Sequence, residues 1–152
     1  MKIRALETGD DIEDLIRRSV SDVKPSSYTE EQQRHLEAVI PEMNLDFAGK
    51  ERYRYFVAEG KNGIDGVAGY QKQSGSLAGI FVDPELKESG IGSRLMKKLE
   101  NDARSLGLEQ METLASLEAV EFYRKNGYKV EESKKHNIEG KEIGVKVMTK
   151  DL

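Results

Sequence analysis

The sequence contains no cysteine and no long hydrophobic run. Without cysteine, the chain has no disulfide, no thiolate nucleophile and no zinc–thiolate site. No apolar stretch approaches the ~20 residues that cross a bilayer, so we expect no membrane partner. The first residues, MKIRALETGDD, lack the apolar region of a signal peptide, and we therefore expect a cytoplasmic protein.

Excess positive charge is also missing, because the formal net charge is -4 over 152 residues. Nucleic-acid affinity comes from Lys and Arg that neutralise phosphates, so we expect no nucleic-acid partner. A charged fraction of 34% with 37% hydrophobic residues suits a globular protein with a well-solvated surface. This length predicts one domain, residues 1–152, with a core of its own.

The most informative stretch is residues 77–106, LAGIFVDPELKESGIGSRLMKKLENDARSL. Its apolar start, residues 77–82, has the length of a strand, which Pro84 ends because proline removes a ladder donor. A polar loop is predicted over residues 85–89, followed by Gly90 and Gly92. Apolar residues then recur at a period close to 3.6, which predicts a helix that ends before Gly107.

A helix that begins behind a glycine loop can bind an anion. Its first N–H groups have no internal partner, and the helix dipole places partial positive charge there. Phosphate or pyrophosphate binding and a plain loop-to-helix turn explain this loop equally well. The chain has no Walker P-loop, and Gly92 is followed by Ser93, Arg94 and Leu95, so the third small residue of a dinucleotide fingerprint is missing.

Periodicity predicts the other elements of the chain. Strand-like runs occupy residues 2–6, 52–59, 64–73, 108–115, 128–132 and 143–149. Helices are predicted from a cap at Thr8 or Asp10 to about residue 23, over residues 29–40, and over residues 116–126. Residues 41–50 and 133–140 are predicted loops. The order predicts an α/β (α+β) fold: a mixed, mostly antiparallel sheet of about seven strands with helices on both faces.

Two motifs together resemble the GNAT superfamily of acyl-CoA-dependent N-acyltransferases. Residues 87–92, KESGIG, are similar to its R/Q-x-x-G-x-G/A signature, with Lys87 in place of Arg or Gln. Residues 116–128 are similar to its N-x-x-A-x-x-F-Y-x-x-x-G-F/Y pattern, with Ser116 in place of Asn. The matching positions of that pattern are Ala119, Phe122, Tyr123, Gly127 and Tyr128.

The resemblance implies an acetyl-CoA-dependent N-acetyltransferase that acts on a primary amine by direct attack in a ternary complex. It places acetyl-CoA in a splay between the fourth and fifth strands, and no metal is indicated. The implied cofactor-binding residues lie on the fourth strand, in the glycine loop and in the second motif: Ile80, Phe81, Val82, Lys87, Glu88, Ser89, Gly90, Ile91, Gly92, Ser93 and Ser116. Arg94 and Lys98 could add phosphate-neutralising charge.

The resemblance also assigns a catalytic role to Tyr123, as the donor of a proton to the departing CoA thiolate. A phenol of pKa ~10 is protonated at neutral pH and can protonate a thiolate of pKa ~8.5. The alternative is that Tyr123 only packs, as tyrosines on short amphipathic helices commonly do.

No residue stands out as the general base. Family members that use Glu or His often carry it on the fourth strand, where the matching positions here are Ser76 and Ala78. Glu59 and Glu112 could reach the cleft, but exposed ion pairs are the expected role of each. The two histidines, His35 and His136, are expected at the surface. We therefore predict that the amine loses its proton through water.

The acceptor amine stays open, as a small molecule or as an amine of a peptide or protein. Acidic residues near the first helix could attract it, although complementing the helix dipole explains them better: Glu7, Asp10, Asp11, Glu13 and Asp14. Tyr28, Tyr53 and Tyr55 could line a pocket or pack. A homodimer is common in the family. The alternatives are a non-catalytic acyl-CoA sensor or interaction domain of this fold, and a nucleotide-binding protein of another fold.

Overall fold

The computed structural model describes residues 1–7, 9–21, 52–138 and 141–152. The strands in these ranges are β1 (Lys2–Ala5), β2 (Tyr53–Gly60), β3 (Gly63–Gln71), β4 (Leu77–Val82), β5 (Gln110–Ser116), β6 (Lys129–Ile138) and β7 (Lys141–Asp151). The α-helices are α1 (Glu13–Ser21), α2 (Ile91–Ser105) and α3 (Val120–Lys125), and 3₁₀ helices cover Pro84–Ser89 and Leu117–Ala119. The predicted helix over residues 29–40 and loop over residues 41–50 lie outside the described residues.

The first sheet has the antiparallel order β1-β2-β3-β4. Alternation along β2 gives it two buried faces, because successive side chains of a strand point to opposite sides. Phe56 and Ala58 pack in the cluster that contains Leu95 of α2, whereas Val57 packs in the cluster that contains Ile16 of α1. Helices therefore cover both faces of this sheet, as predicted.

The second sheet has the antiparallel order β5-β7-β6 and corrects one prediction. Residues 133–138 are not a loop but the second half of β6, paired with β7 from Ser133↔Lys146 to Ile138↔Lys141. The exposed side chains there include Ser133 and Lys134. Ladder hydrogen bonds are made by the main chain, so a strand whose side chains face water reads as a polar loop in the sequence.

The two sheets meet at the start of β4. The strand pairing between the β4 stretch and β5 in the described residues is one isolated parallel bridge, Ser76↔Glu112, beside a hydrogen bond from Glu112 N–H to the Gly75 carbonyl at 3.1 Å. A Cβ at Gly75, where φ is +75°, would lie 2.4 Å from the Gln110 carbonyl oxygen. Glycine is therefore needed for the turn to approach β5.

A β-bulge lies just beyond this bridge. Gly69 of β3 faces Gly79 of β4, while its neighbour Tyr70 faces Leu77, so Ala78 is the extra residue in β4. A bulge bends the strand that contains it and increases its twist. β4 is thus bent at the point where it leaves β5, and beyond that point β4 pairs with β3 and β5 pairs with β7.

Three local predictions differ from the structure. The predicted loop after Pro84 is a 3₁₀ helix, because the Asp83 side chain accepts the Glu85 N–H and caps it. The predicted helix over residues 116–126 is a 3₁₀ turn followed by α3, with Ser116 still in β5. Finally, α1 begins at Glu13, since Asp10 instead accepts the Glu7 N–H in a preceding turn. No described helix combines the length and apolarity that crossing a membrane requires.

Candidate functional site

We call the gap between β4 and β5 the cleft: one bridge, Ser76↔Glu112, joins the two stretches, and β4 and β5 themselves belong to separate sheets. The strands are parallel at the bridge, so their carboxyl ends, Val82 and Ser116, lie at the same, open end of the cleft. Each strand continues into helical structure there. The open end is therefore bordered by the segment before α2 and by the segment before α3.

The segment before α2 is a turn of defined geometry. Gly90 ends the 3₁₀ helix and precedes α2 with φ +84°, and a Cβ there would meet no atom within 4 Å. The first helical bond of α2 joins Arg94 N–H to the Gly90 carbonyl at 3.1 Å, so the N–H groups of residues 91–93 come before it. The amides that precede this first helical bond, the helix dipole and the open space beside Gly90 fit an anion such as a pyrophosphate.

Gly92 has a packing role that the sequence analysis missed. A Cβ at Gly92 would lie 2.9 Å from Cε1 of Phe122 and 3.6 Å from Cγ2 of Val82. The missing side chain at residue 92 therefore leaves room for the Phe122 ring against the first turn of α2, whereas a Cβ would make only an ordinary contact with Val82 of β4. The two sequence motifs are in direct contact here, which spacing along the chain does not reveal.

Tyr123 of α3 packs against β5, the strand on one side of the cleft. Its ring is buried, with edge contacts to Phe122 and Tyr128 at centroid distances of 5.3 and 5.5 Å. Burial raises the pKa of the Tyr123 phenol, and a hydrogen bond with Thr113 of β5 opposes this rise only in part. The phenol therefore stays protonated well above neutral pH, which a proton donor requires.

The sequence comparison decides the family. The acetyltransferase (GNAT) domain family matches residues 24–151. The chain belongs to the GNAT acetyltransferase family. This confirms the predicted family and the predicted enzyme class, an acyltransferase, and it excludes a nucleotide-binding protein of another fold.

Individual relatives agree with this GNAT assignment. A stretch of 56 residues of this chain is 36% identical to part of an amino-acid acetyltransferase of Pseudomonas syringae pv. syringae. The match covers 37% of this chain and 13% of that protein. The chain thus spans about an eighth of the length of the curated relatives it matches.

Solved structures share the fold over nearly the whole chain. A GCN5-related N-acetyltransferase from Rhodopseudomonas palustris superposes with a TM-score of 0.89 at 23% identity, covering 99% of this chain and 95% of that one. The PaiA N-acetyltransferase from Thermoplasma acidophilum, in complex with coenzyme A, superposes with a TM-score of 0.76 at 18% identity, covering 100% of both chains.

The structure distributes the implied cofactor-binding residues of this GNAT domain around the cleft. Ile80 and Val82 pack on the α2 side of β4, whereas Phe81 packs on the α1 side, with its ring against Gly79. Ser116 ends β5 across the cleft. The others follow β4 in the 3₁₀ helix and the start of α2: Lys87, Glu88, Ser89, Gly90, Ile91, Gly92 and Ser93.

The three cations proposed for phosphates do not all lie at the turn. Lys87 is exposed on the 3₁₀ helix, and Arg94 is exposed on the first turn of α2. Lys98, in contrast, has its Nζ 5.3 Å from the ring centroid of Phe56 on β2. This cation–π contact directs Lys98 toward the first sheet instead of the open end of the cleft.

The sequence analysis favoured complementing the helix dipole as the role of the acidic residues near α1, and Glu13 and Asp14 do lie in its first turn. Most of these residues also pair with arginines, which the sequence analysis did not predict. Arg4 pairs with Asp10 at 2.9 Å and with Glu59 at 3.1 Å. Glu13 and Asp14 pair with the arginines one turn later at 3.0 and 2.9 Å. These carboxylates are therefore part of a structural ion-pair network, and Glu59 has the predicted exposed role.

The structure places the residues that were considered for the general base as follows. Ser76 and Ala78 flank the start of β4, and Glu112 is exposed at the bridge between the sheets. Tyr28, His35 and the side chain of His136 lie outside the described part of the chain. Among the described residues, no group of three or more His, Asp or Glu is placed to hold a metal ion.

Proposed function

We propose that this chain is an N-acetyltransferase that uses acetyl-CoA to acetylate a primary amine by direct attack in a ternary complex. The observation that carries the proposal is the open Gly90 turn at the mouth of a cleft between two diverging strands. Membership of the GNAT family and the shared fold with a CoA-bound N-acetyltransferase support it.

Donor binding would use main-chain groups on two sides of the open end. Beyond Ser76, the edge of β4 that faces β5 is not paired with it, so groups at Ile80 and Val82 can bond the pantetheine amides like an added strand. Amides of residues 88–93 would hold the pyrophosphate, with Lys87 and Arg94 as nearby cations. Ser116 would contact the pantetheine arm from β5.

In the proposed chemistry, the neutral amine attacks the thioester carbonyl, and Tyr123 protonates the CoA thiolate as the carbon–sulfur bond breaks. An alkylamine of pKa ~10.4 is about one part in a thousand neutral at pH 7, which costs roughly 4–5 kcal/mol. Water would carry this proton away, because Ser76 and Ala78 occupy the positions where a fourth-strand base would stand.

The acceptor is proposed as a primary amine of a small molecule, a peptide or a protein. The partial match to an amino-acid acetyltransferase makes the α-amino groups of free amino acids the first compounds to screen. Thiol release from acetyl-CoA would report turnover. Binding of acetyl-CoA without turnover of any amine would instead support a non-catalytic acyl-CoA sensor or interaction domain.

The first experiment is calorimetric titration of the wild type and of Gly90→Glu with acetyl-CoA, ATP and NAD. We expect the wild type to bind acetyl-CoA alone and Gly90→Glu to lose this binding, because a carboxylate at the turn repels phosphates. Gly107→Glu is a matched control: Gly107 has φ +86° at the other end of α2, and a Cβ there also meets no atom within 4 Å. Equal loss in both variants, or no binding by the wild type, would contradict the proposal.

A further inference from the structure

Helix α1 has a fixed position relative to β4. Its apolar side contributes Leu15 and Ile16 to a buried cluster with Val67 of β3, and Phe81 of β4 packs against the same cluster. Buried side chains of this kind hold an element in one place, since protein interiors are close-packed. Side chains on the exposed side of α1 therefore start from a well-defined backbone position.

One of these exposed-side residues reaches the end of β4. Arg18 Nη1 lies 3.1 Å from Asp83 Oδ2, and Arg18 Nε donates to Asp14 one helical turn earlier at 2.9 Å. The two carboxylates orient the planar guanidinium from two sides. Arg18 thereby joins α1 to the residue that caps the 3₁₀ helix Pro84–Ser89, which leads to the turn at Gly90.

Asp83 determines where that 3₁₀ helix begins. Its side chain accepts the Glu85 N–H at 3.0 Å, and its main-chain carbonyl accepts the Leu86 N–H at 2.8 Å. Its own N–H donates to the Asp65 carbonyl of β3 at 2.8 Å. The Glu85 N–H and the nearby Arg18 guanidinium both lower the pKa of the Asp83 carboxyl group, which is therefore charged at neutral pH.

We infer that Arg18 is a positioning residue for acyl-donor binding. By holding the Asp83 carboxylate, Arg18 keeps the Pro84–Ser89 helix and Gly90 in the geometry that presents the following amides to a pyrophosphate. The inference rests on the proposed function, because it requires that this turn binds acyl-CoA. The Arg18–Asp83 ion pair connects α1, on one face of the first sheet, to the proposed donor site at the end of β4.

The test compares Arg18→Met with the wild type by calorimetric titration with CoA and by steady-state kinetics with acetyl-CoA. We expect the Kd for CoA and the KM for acetyl-CoA to rise about threefold, the scale of a partly exposed ion pair. The kcat at saturating acetyl-CoA stays unchanged, because Arg18 touches no reacting group. Arg18→Lys restores part of the affinity, and Arg18→Met adds nothing in an Asp83→Asn background.

Two control variants separate this contact from a general effect of charge. Arg17→Met removes the neighbouring arginine of α1, which has a similar ion pair with Glu13 at 3.0 Å and a side chain that is 48% exposed against 45% for Arg18. Asp14→Asn removes the other partner of Arg18. Arg17→Met is expected to keep wild-type affinity for CoA. Asp14→Asn leaves the Arg18–Asp83 pair in place but removes one of the two carboxylates that orient the guanidinium, so it is expected to raise the Kd by less than Arg18→Met does.

An unchanged Kd in Arg18→Met would overturn the inference while leaving the proposed function intact. An equal rise in Arg17→Met would also overturn it, because the effect would then come from net charge. A wild-type protein that binds no CoA would overturn the proposed function itself, and the inference with it. Thermal unfolding of each variant shows whether it remains folded at the temperature of the titration.

Discussion

Burial determines which acid–base chemistry Tyr123 can perform. A phenolate inside the core would lose its hydration, so the protonated form is favoured and the pKa of Tyr123 is raised. A group whose pKa is raised by folding stabilises the protein below its unfolded pKa of ~10 and loses that contribution at higher pH. The Tyr123 phenol is thus protonated over the whole neutral range, which its proposed role as proton donor requires.

We predict that Tyr123→Phe lowers kcat by about 100-fold, since proton transfer by a positioned acid contributes on the order of 10²–10⁴-fold. Tyr128→Phe is the matched control, because Tyr128 is also buried and its hydroxyl contacts Met96 Sδ at 3.3 Å. Steady-state rates of thiol release with a fixed amine check this. Equal rates for Tyr123→Phe and Tyr128→Phe would leave Tyr123 with packing alone.

At the scale of elements, α2 and β7 are joined by an ion pair whose carboxylate is buried and whose ammonium is partly exposed. Glu100 Oε1 of α2 lies 2.9 Å from Lys150 Nζ of β7, and Lys150 also donates to the Asn126 carbonyl at 2.8 Å. The Glu100 side chain is only 6% exposed. Removing one member of such a pair leaves an uncompensated charge in the core.

Lys150→Met is expected to destabilise the protein by about 3 kcal/mol, because it leaves the Glu100 carboxylate buried without its counter-charge. The double variant Glu100→Leu/Lys150→Met removes both charges and is expected to recover most of this loss. Urea denaturation measures both free energies of unfolding. A double variant less stable than Lys150→Met would show that the pair contributes through packing and not through charge.

Elements with strong periodicity were predictable from the sequence, and elements defined by main-chain contacts were not. The amphipathic spacing of α2 and the period-two runs over residues 52–59 and 64–73 placed α2, β2 and β3 close to their observed bounds. The second half of β6 was missed because its side chains are polar and exposed. The bulge at Ala78 depends on pairing with β3, for which the sequence of β4 alone contains no signal.

At the scale of the whole molecule, the two sheets depend on the close approach at Gly75. We predict that Gly75→Ala destabilises the protein by about 1–3 kcal/mol more than Gly107→Ala. Both glycines have similar positive φ, but only the Cβ at residue 75 meets a backbone atom, Gln110 O at 2.4 Å. Urea denaturation of the two variants checks the difference. Equal losses of unfolding free energy would mean that the backbone at the junction between the sheets shifts to admit the Cβ without destabilising the protein.

In the candidate site, too, local sequence patterns were predictable and contacts between distant residues were not. The motifs predicted the family and the order of elements around the cleft, since the glycine turn and the Phe122–Tyr123 pair are local patterns. Contacts between distant residues were out of reach, such as those of Lys98 with Phe56 and of Arg18 with Asp83. These depend on how helices cross the sheet, which no spacing along the chain encodes directly.

The close packing of residue 92 and the Phe122 ring limits which substitutions can be fixed at these two positions during evolution. A side chain at residue 92 would enter the space that the Phe122 ring occupies. A larger residue at 92 then requires the Phe122 ring to shift or to be replaced by a smaller side chain. We expect descendants of this sequence to alter the two positions jointly or to keep both.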